Sequence, residues 1–413
     1  MTQAITPTAF SAIDSHDTLS PDEPARGGTL KKTRAQEKAL SPLIDSVAQG
    51  DTRVAATSMR AVADIGLGPR DFVEANAHSL ETGDWTKVAS DFANGAFTTP
   101  EGSFLIVAPY RTLRQASVTT ALGLIAGRML MFPSPKGLDV VIRDLFGELR
   151  QGISTIVPFD PIALAGAFGG EKNEAFVVPD GFPFAPGRTY PALNNVEEQA
   201  RRTSTARTAI RRIIDQESVH LLLGAIAGRE RATRTQFIEY QYHEAGHASG
   251  IGLNAKLQAD VLKNGHERGV EEHRADAVAF ELAYRTLPET NVAELIASNL
   301  VTRLGLDAHR AGTIERDTDV ECAFLTFASL VASSAIVIHN RKIAFVDPTP
   351  KGLVRATERM RALSVEMTRR ELYLNYVEGI AGLFGSVAEE PGAKVLFNEY
   401  VLSPCRGLFR ELR

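Results

Sequence analysis

Residues 239–250 read EYQYHEAGHASG, and residues 269–280 read GVEEHRADAVAF. The first stretch contains His243-Glu244-Ala245-Gly246-His247, the pattern HExxH. On a helix, positions i and i+4 share a face, so the spacing projects both imidazoles to one side. That suits two nitrogens bound about 2 Å from one Zn²⁺. Glu244 follows the first histidine and is placed to act as general base toward metal-activated water. Ala245, Gly246 and Ala248 are small, which lets another backbone approach. The bland alternative is an amphipathic helix with two histidines and no metal.

A glutamate from a following helix would complete a catalytic site and leave the fourth position for water or substrate. Glu271 and Glu272 both qualify. Glu272 is preferred, because Asp276 stands four residues on and shares its face, whereas the same step from Glu271 reaches Ala275. Asp276 is then expected to accept a hydrogen bond from the far nitrogen of a histidine ligand and fix its tautomer. Acids at i and i+4 repel, and a cation relieves that repulsion. Arg274 either neutralises these acids or holds a substrate carboxylate, with a plain surface salt bridge as its alternative.

The two motifs together, HExxH and then a helix carrying E-x-x-A-D, resemble the gluzincin metallopeptidases. Glu271-Glu272-His273-Arg274-Ala275-Asp276 is also similar to the Glu-Glu-x-Arg-Ala-Glu motif of the dipeptidyl peptidase III family. The resemblance implies a zincin-like helical metal lobe and one Zn²⁺ per chain. By it His243, His247 and Glu272 are ligands, and Asp276 replaces the family's final glutamate. The chain departs from that family in its first motif, which lacks one residue that the family carries between the histidines.

Zinc hydrolases need a second electrophile for the oxyanion, often a tyrosine or histidine from elsewhere. Accessory candidates are Tyr240, Tyr242, His309 and His339. His266 lies in the segment joining the motifs and is a candidate substrate contact. His273 is expected to point elsewhere than its neighbour Glu272, into the second sphere or to the surface. For the tyrosines the competing role is core packing with a bonded hydroxyl.

The rest of the sequence of 413 residues is ordinary in composition. Lys plus Arg total 45 and Asp plus Glu 50, a net charge of −5, so no basic field exists to collect nucleic acid or an anionic membrane. The two cysteines, Cys322 and Cys405, make neither a disulfide framework nor a cysteine-rich zinc site, and fit a reducing cytoplasm. Residues 1–36 lack a basic segment followed by an apolar one and read as a flexible arm, not a secretory signal. The uncharged run Cys322–Ile338 falls short of the roughly 20 residues a bilayer needs and reads as a core helix.

The expected fold class is mainly α (α+β). A mixed α/β lobe spans 37–195 and a mostly helical metal-binding lobe spans 196–413. Helices are expected over 37–95, 113–130, 138–150, 201–228, 234–250, 270–286, 292–304 and 354–383. Strands are expected at Ser103–Tyr110, within STIVPFD and EAFVVPD, and as a hairpin in IVIHNRKIAFV around Asn340-Arg341. The functional expectation is a zinc-dependent peptidase or amidase acting on a peptide or small-molecule substrate. One alternative is a metalloenzyme acting on a non-peptide metabolite. The other is a non-catalytic, metal-stabilised binding protein.

Overall fold

The computed structural model describes residues 34–366 apart from 115–116, 133–134, 148–152, 170–174, 178–181, 183–189, 250–264, 308–317 and 340–341. Four helices come first: α1 (Arg34–Gln49), α2 (Thr52–Ala61), α3 (Arg70–Thr82) and α4 (Thr86–Ala93). Asp51 caps α2, its side chain accepting from the Arg53 and Val54 amides, and Gly83 ends α3 in the left-handed conformation.

A five-stranded sheet follows, in the order β1-β2-β3-β5-β4. Its strands are β1 (Ser103–Arg114), β2 (Ser117–Met129), β3 (Ile156–Gly166), β4 (Phe176–Val177) and β5 (Ala192–Asn195). All neighbours are antiparallel except β3 and β5. The expected helix over 113–130 is therefore corrected: Leu113 and Arg114 end β1, and Ser117–Met129 form β2, paired with β1 from Ser117 to Arg128. The physical reason lies in the burial of β2 on both faces. Leu124 and Ala126 belong to the core beneath α1–α3, while Ile125 belongs to an aromatic core on the opposite face with Phe104, Phe159 and Phe168. A strand buried on both sides reads as a continuous apolar run, and periodicity alone does not separate that from a helix. Gly123 marks the crowding, since a Cβ there would lie 2.4 Å from the Phe168 ring.

The second half is helical: α5 (Leu138–Phe146, inserted between β2 and β3), α6 (Val196–Ile213), α7 (Gln216–Ala225), α8 (Arg229–His247), α9 (Gly265–Thr286) and α10 (Glu289–Leu300). A π-helical segment, Val301–Asp307, continues α10. Then come α11 (Thr318–Ala332), the hairpin β6 (Ile336–His339) and β7 (Lys342–Phe345), α12 (Pro350–Ala356) and α13 (Glu358–Glu366). The fold is mainly α with a smaller sheet, as expected. The expected hairpin is present, and the Cys322–Ile338 run divides into the end of α11 and the start of β6. The expected helix over 201–228 is broken at Ile214–Asp215, where Asp215 caps α7 and its amide bonds to Ile343. The part of 354–383 beyond Glu366 lies outside the described residues, as does most of the 1–36 arm.

α9 is the axis of this half. Its Val278, Phe280 and Leu282 are fully buried in a core with Tyr242 of α8, Leu295 and Leu300 of α10, and Phe327 and Leu330 of α11. The sheet docks on α8 through Gln241, which accepts from the Ile156 amide at 3.0 Å and donates to the Ser154 carbonyl at 2.9 Å. Among the described residues no helix is long and apolar enough to cross a membrane.

Candidate metal centre

α8 and α9 cross where both motifs lie. Gly246 makes the close approach, since a Cβ there would meet the Ala275 carbonyl oxygen at 2.5 Å and its Cα at 2.9 Å. Two buried helices in backbone contact bring side chains on their facing stripes within a few ångströms. His243, His247 and Glu272 meet in this way.

Their converging atoms form a small triangle. His243 Nε2 lies 3.1 Å from His247 Nε2 and 3.1 Å from Glu272 Oε2, and the third side, His247 Nε2 to Glu272 Oε2, is 3.7 Å. Ligands about 2.0–2.1 Å from a tetrahedral Zn²⁺ stand about 3.3 Å apart, so the triangle has the size such an ion requires. The side chains of His247 and Glu272 are 26% and 27% exposed, so the centre is open on one side. No fourth donor joins the triangle among the described residues.

The far nitrogens fix the tautomers. His243 Nδ1 is 2.7 Å from Asp276 Oδ1, and His247 Nδ1 is 3.2 Å from Glu271 Oε1. A carboxylate at Nδ1 keeps a proton there, so the Nε2 atoms are the ones that face the triangle and would offer their lone pairs to a metal. Burial opposes charging either imidazole, but the acids override it. Asp276 and Glu272 hold His243 well above its ordinary range, and Glu272 with Glu271 raises His247 to about 9. Burial would likewise raise Glu272, and the two histidines hold it well below the usual carboxylate range instead. Three groups that favour positive charge among them are chemically matched to a divalent cation.

Asp276 is fully buried. Arg303, from the π segment, donates Nε to Asp276 Oδ2 at 2.8 Å and Nη1 to Asp307 and Asp319 at 3.2 Å each. Its Nη2 lies 3.8 Å from Glu272 Oε2. Burial would raise Asp276, and the Arg303 guanidinium with His243 holds it far below its usual value. Cys322 of α11 donates its thiol to Asp276 Oδ2 at 3.4 Å, and burial pushes that thiol up. A π turn widens the helix and is frequent at functional sites. Here it presses Gly305 onto α6, where a Cβ would meet the Ala206 carbonyl at 2.7 Å.

Arg274 is buried at 4% exposure and faces inward. It grips both oxygens of Glu271 at 2.7 and 2.8 Å and donates to the Gly246 and Ser249 carbonyls, each at 3.1 Å, which fastens α9 to the end of α8. Its donors are thus engaged inside the protein, with Glu271, Gly246 and Ser249.

Tyr242 is packed in the core, its hydroxyl 2.6 Å from Thr286 Oγ1. Tyr240 stands edge-on to Phe176 of β4, with ring centroids 4.6 Å apart. Burial, reinforced by Glu239, keeps its phenol protonated well above the ordinary value. Glu244 is half-buried, and its carboxylate makes no hydrogen bond or ion pair among the described residues. His339 is exposed in the β6–β7 hairpin. His273 is buried on the opposite side of α9, against Thr326 and Ser329 of α11, and burial lowers it to about 4. His309 and the side chain of His266 lie outside the described residues.

Reading the motifs alone misses Arg303, Asp307 and Asp319, which come from a later segment with no pattern of its own. It also misses the role of Glu271. A metal-binding histidine usually carries a partner at its far nitrogen, and the acids at 271 and 276 are the sequence signal for the two partners seen here.

The model of a family of unknown function, DUF6014, matches residues 34–301. The chain belongs to DUF6014. The match includes both histidines, Glu271, Glu272 and Asp276 of this DUF6014 member and stops just short of Arg303. No curated protein matches the chain. Among solved structures it is similar to dipeptidyl peptidase III from Caldithrix abyssi, with a TM-score of 0.60 at 11% identity over 94% of this chain and 82% of that one. It is also similar to dipeptidyl-peptidase III from Corallococcus sp. strain EGB, with a TM-score of 0.50 at 13% identity over 88% and 70%. At these identities the likeness establishes the fold.

Proposed function

We propose that this DUF6014 member is a zinc-dependent hydrolase that cleaves peptide or related amide bonds. The triangle of His243 Nε2, His247 Nε2 and Glu272 Oε2 carries the reading, being of zinc size, open on one side and backed by a carboxylate at each far nitrogen. One Zn²⁺ held there would polarise the scissile carbonyl and lower the pKa of the attacking water. The fold likeness to two dipeptidyl peptidases III supports peptides as the substrate class.

Within that reading each residue has a task. Glu244, adjacent to His243 and otherwise unengaged among the described residues, takes a proton from the attacking water and delivers it to the departing amine. Asp276 and Glu271 hold the imidazoles in the tautomer that presents Nε2. Arg303 and Arg274 balance the buried acids, so those acids remain ionised and fixed. Tyr240, one helical turn before Glu244 and a protonated donor, is the accessory group assigned here to hydrogen-bond the developing oxyanion.

The test is digestion of peptide libraries by zinc-loaded protein and by Glu244→Gln. Cleavage by the wild type, reduced by about 10²–10⁴-fold in the variant, supports the reading. Intact peptides from a protein that binds zinc would move the activity to a non-peptide metabolite. A metal closed by four protein ligands would make the site structural.

A further inference from the structure

We propose that Glu239 is held as a neutral carboxylic acid whose proton joins it to Asn299 in a two-point pair, fastening α8 to α10 one turn ahead of His243. Glu239 is buried at 4% exposure, and its Oε1 accepts from Asn299 Nδ2 at 3.1 Å. The other oxygen of each group, Glu239 Oε2 and Asn299 Oδ1, is buried with no hydrogen-bond partner among the described residues. An ionised carboxylate and an amide carbonyl only accept, so the charged form leaves both orphaned, each at a cost of about 1–3 kcal/mol. One proton on Oε2 supplies the missing donor. Carboxyl and amide are planar and already joined at one edge, so the O–H···O bond to Asn299 Oδ1 closes the pair and satisfies both atoms.

The surroundings agree. Burial is the largest influence on Glu239 and raises it to about 7. The Asp276 carboxylate of α9 adds to that, while His243 on α8, the Asn299 amide of α10 and Arg303 of the π segment oppose it. Tyr240 is a neutral phenol. A Zn²⁺ on two neutral imidazoles carries the same total charge as two imidazolium protons, so metal loading keeps this balance of charge. Glu239 is thus a positioning residue. It locks the helix that carries both histidines without adding a negative charge to Glu271, Glu272 and Asp276. This assignment is independent of which bond the site cleaves.

The test compares full-length wild type with Glu239→Gln and Glu239→Ala. Glutamine carries the same donor and acceptor permanently. In the infrared, wild type at about pH 6 shows a protonated-carboxyl C=O stretch that disappears near pH 7 and is absent from both variants. Because the folded pKa lies above the unfolded value, the proton-linked stabilisation is complete below about pH 4.5 and lost as pH rises through about 7. The unfolding midpoint of wild type minus that of Glu239→Gln therefore declines over that window and levels off above it. Glu239→Gln keeps wild-type zinc affinity, and Glu239→Ala loses about 10-fold. The proposal is overturned if wild type shows no such band and the midpoint difference is flat with pH, as for an ionised Glu239 bridged to Asn299 by water. Should Glu239→Gln fail to fold, the wild-type band and its titration decide the matter alone.

Discussion

The Glu271 carboxylate lies 3.2 Å from Nδ1 of His247, the nitrogen that faces away from the donor triangle. Its neighbour Glu272 reaches the other side of the same ring, 3.7 Å from Nε2. In the proposed site, adjacent residues on one helix thus divide the work, Glu272 facing the metal position and Glu271 steadying a ligand. Glu271→Gln is expected to weaken zinc binding by about 10–100-fold, the usual cost of losing a partner behind a ligating histidine. Glu272→Gln removes a ligand and is expected to cost more. Competition with a chromogenic chelator measures both affinities. The opposite ranking would make Glu271 the ligand.

Arg303 is the sole guanidinium bonded to Asp276 among the described residues, and both are buried. Removing it leaves an uncompensated carboxylate behind His243. Arg303→Met is expected to destabilise the protein by about 3–5 kcal/mol and to weaken zinc binding. Arg303→Lys is not a rescue, because an ammonium cannot reproduce the fork that reaches Asp276, Asp307 and Asp319 together. Urea unfolding of the metal-free protein measures the first effect and chelator competition the second. An unchanged midpoint would contradict the role given to Arg303.

The metal-free protein should lose stability toward alkaline pH. His247 is raised from 6.5 to about 9 in the folded chain. A raised pKa gives stabilisation that is complete below the unfolded value and lost as pH rises through the folded one, so the loss runs from about 6.5 to about 9. His273 sets the acid side. It is lowered to about 4, so its own contribution to stability declines as pH falls from about 6.5 to about 4. Zinc binding removes the alkaline loss, because the metal replaces the proton at Nε2, and leaves the acid loss in place. Thermal unfolding across this range, with and without chelator, is the measurement. A metal-free midpoint that rises between pH 7 and 9 would contradict it.

The legibility of the sequence follows the range of the interactions. His243, His247 and Glu272 sit on helices whose periodicity is local, and the structure brings all three together. The small residues of the first motif implied a close backbone, and Gly246 against Ala275 provides it. Glu239 and Arg303 carry no such signal, because their importance comes from Asn299 and Asp276 across helix contacts. In the fold, β2 reads as a helix from sequence because Gly123–Gly127 is buried on both faces and lacks the alternation of a half-exposed strand. Long-range placement, not local propensity, decides such segments.

The central claim is a single Zn²⁺ held by three protein atoms with a fourth position open. A crystal structure of zinc-loaded protein, with anomalous scattering recorded at the zinc edge, tests it most directly. The predicted result is one zinc peak per chain, coordinated by His243 Nε2, His247 Nε2 and Glu272 at about 2.0–2.2 Å, with solvent completing the tetrahedron. A zinc enclosed by four protein ligands, or no zinc between α8 and α9, would contradict it.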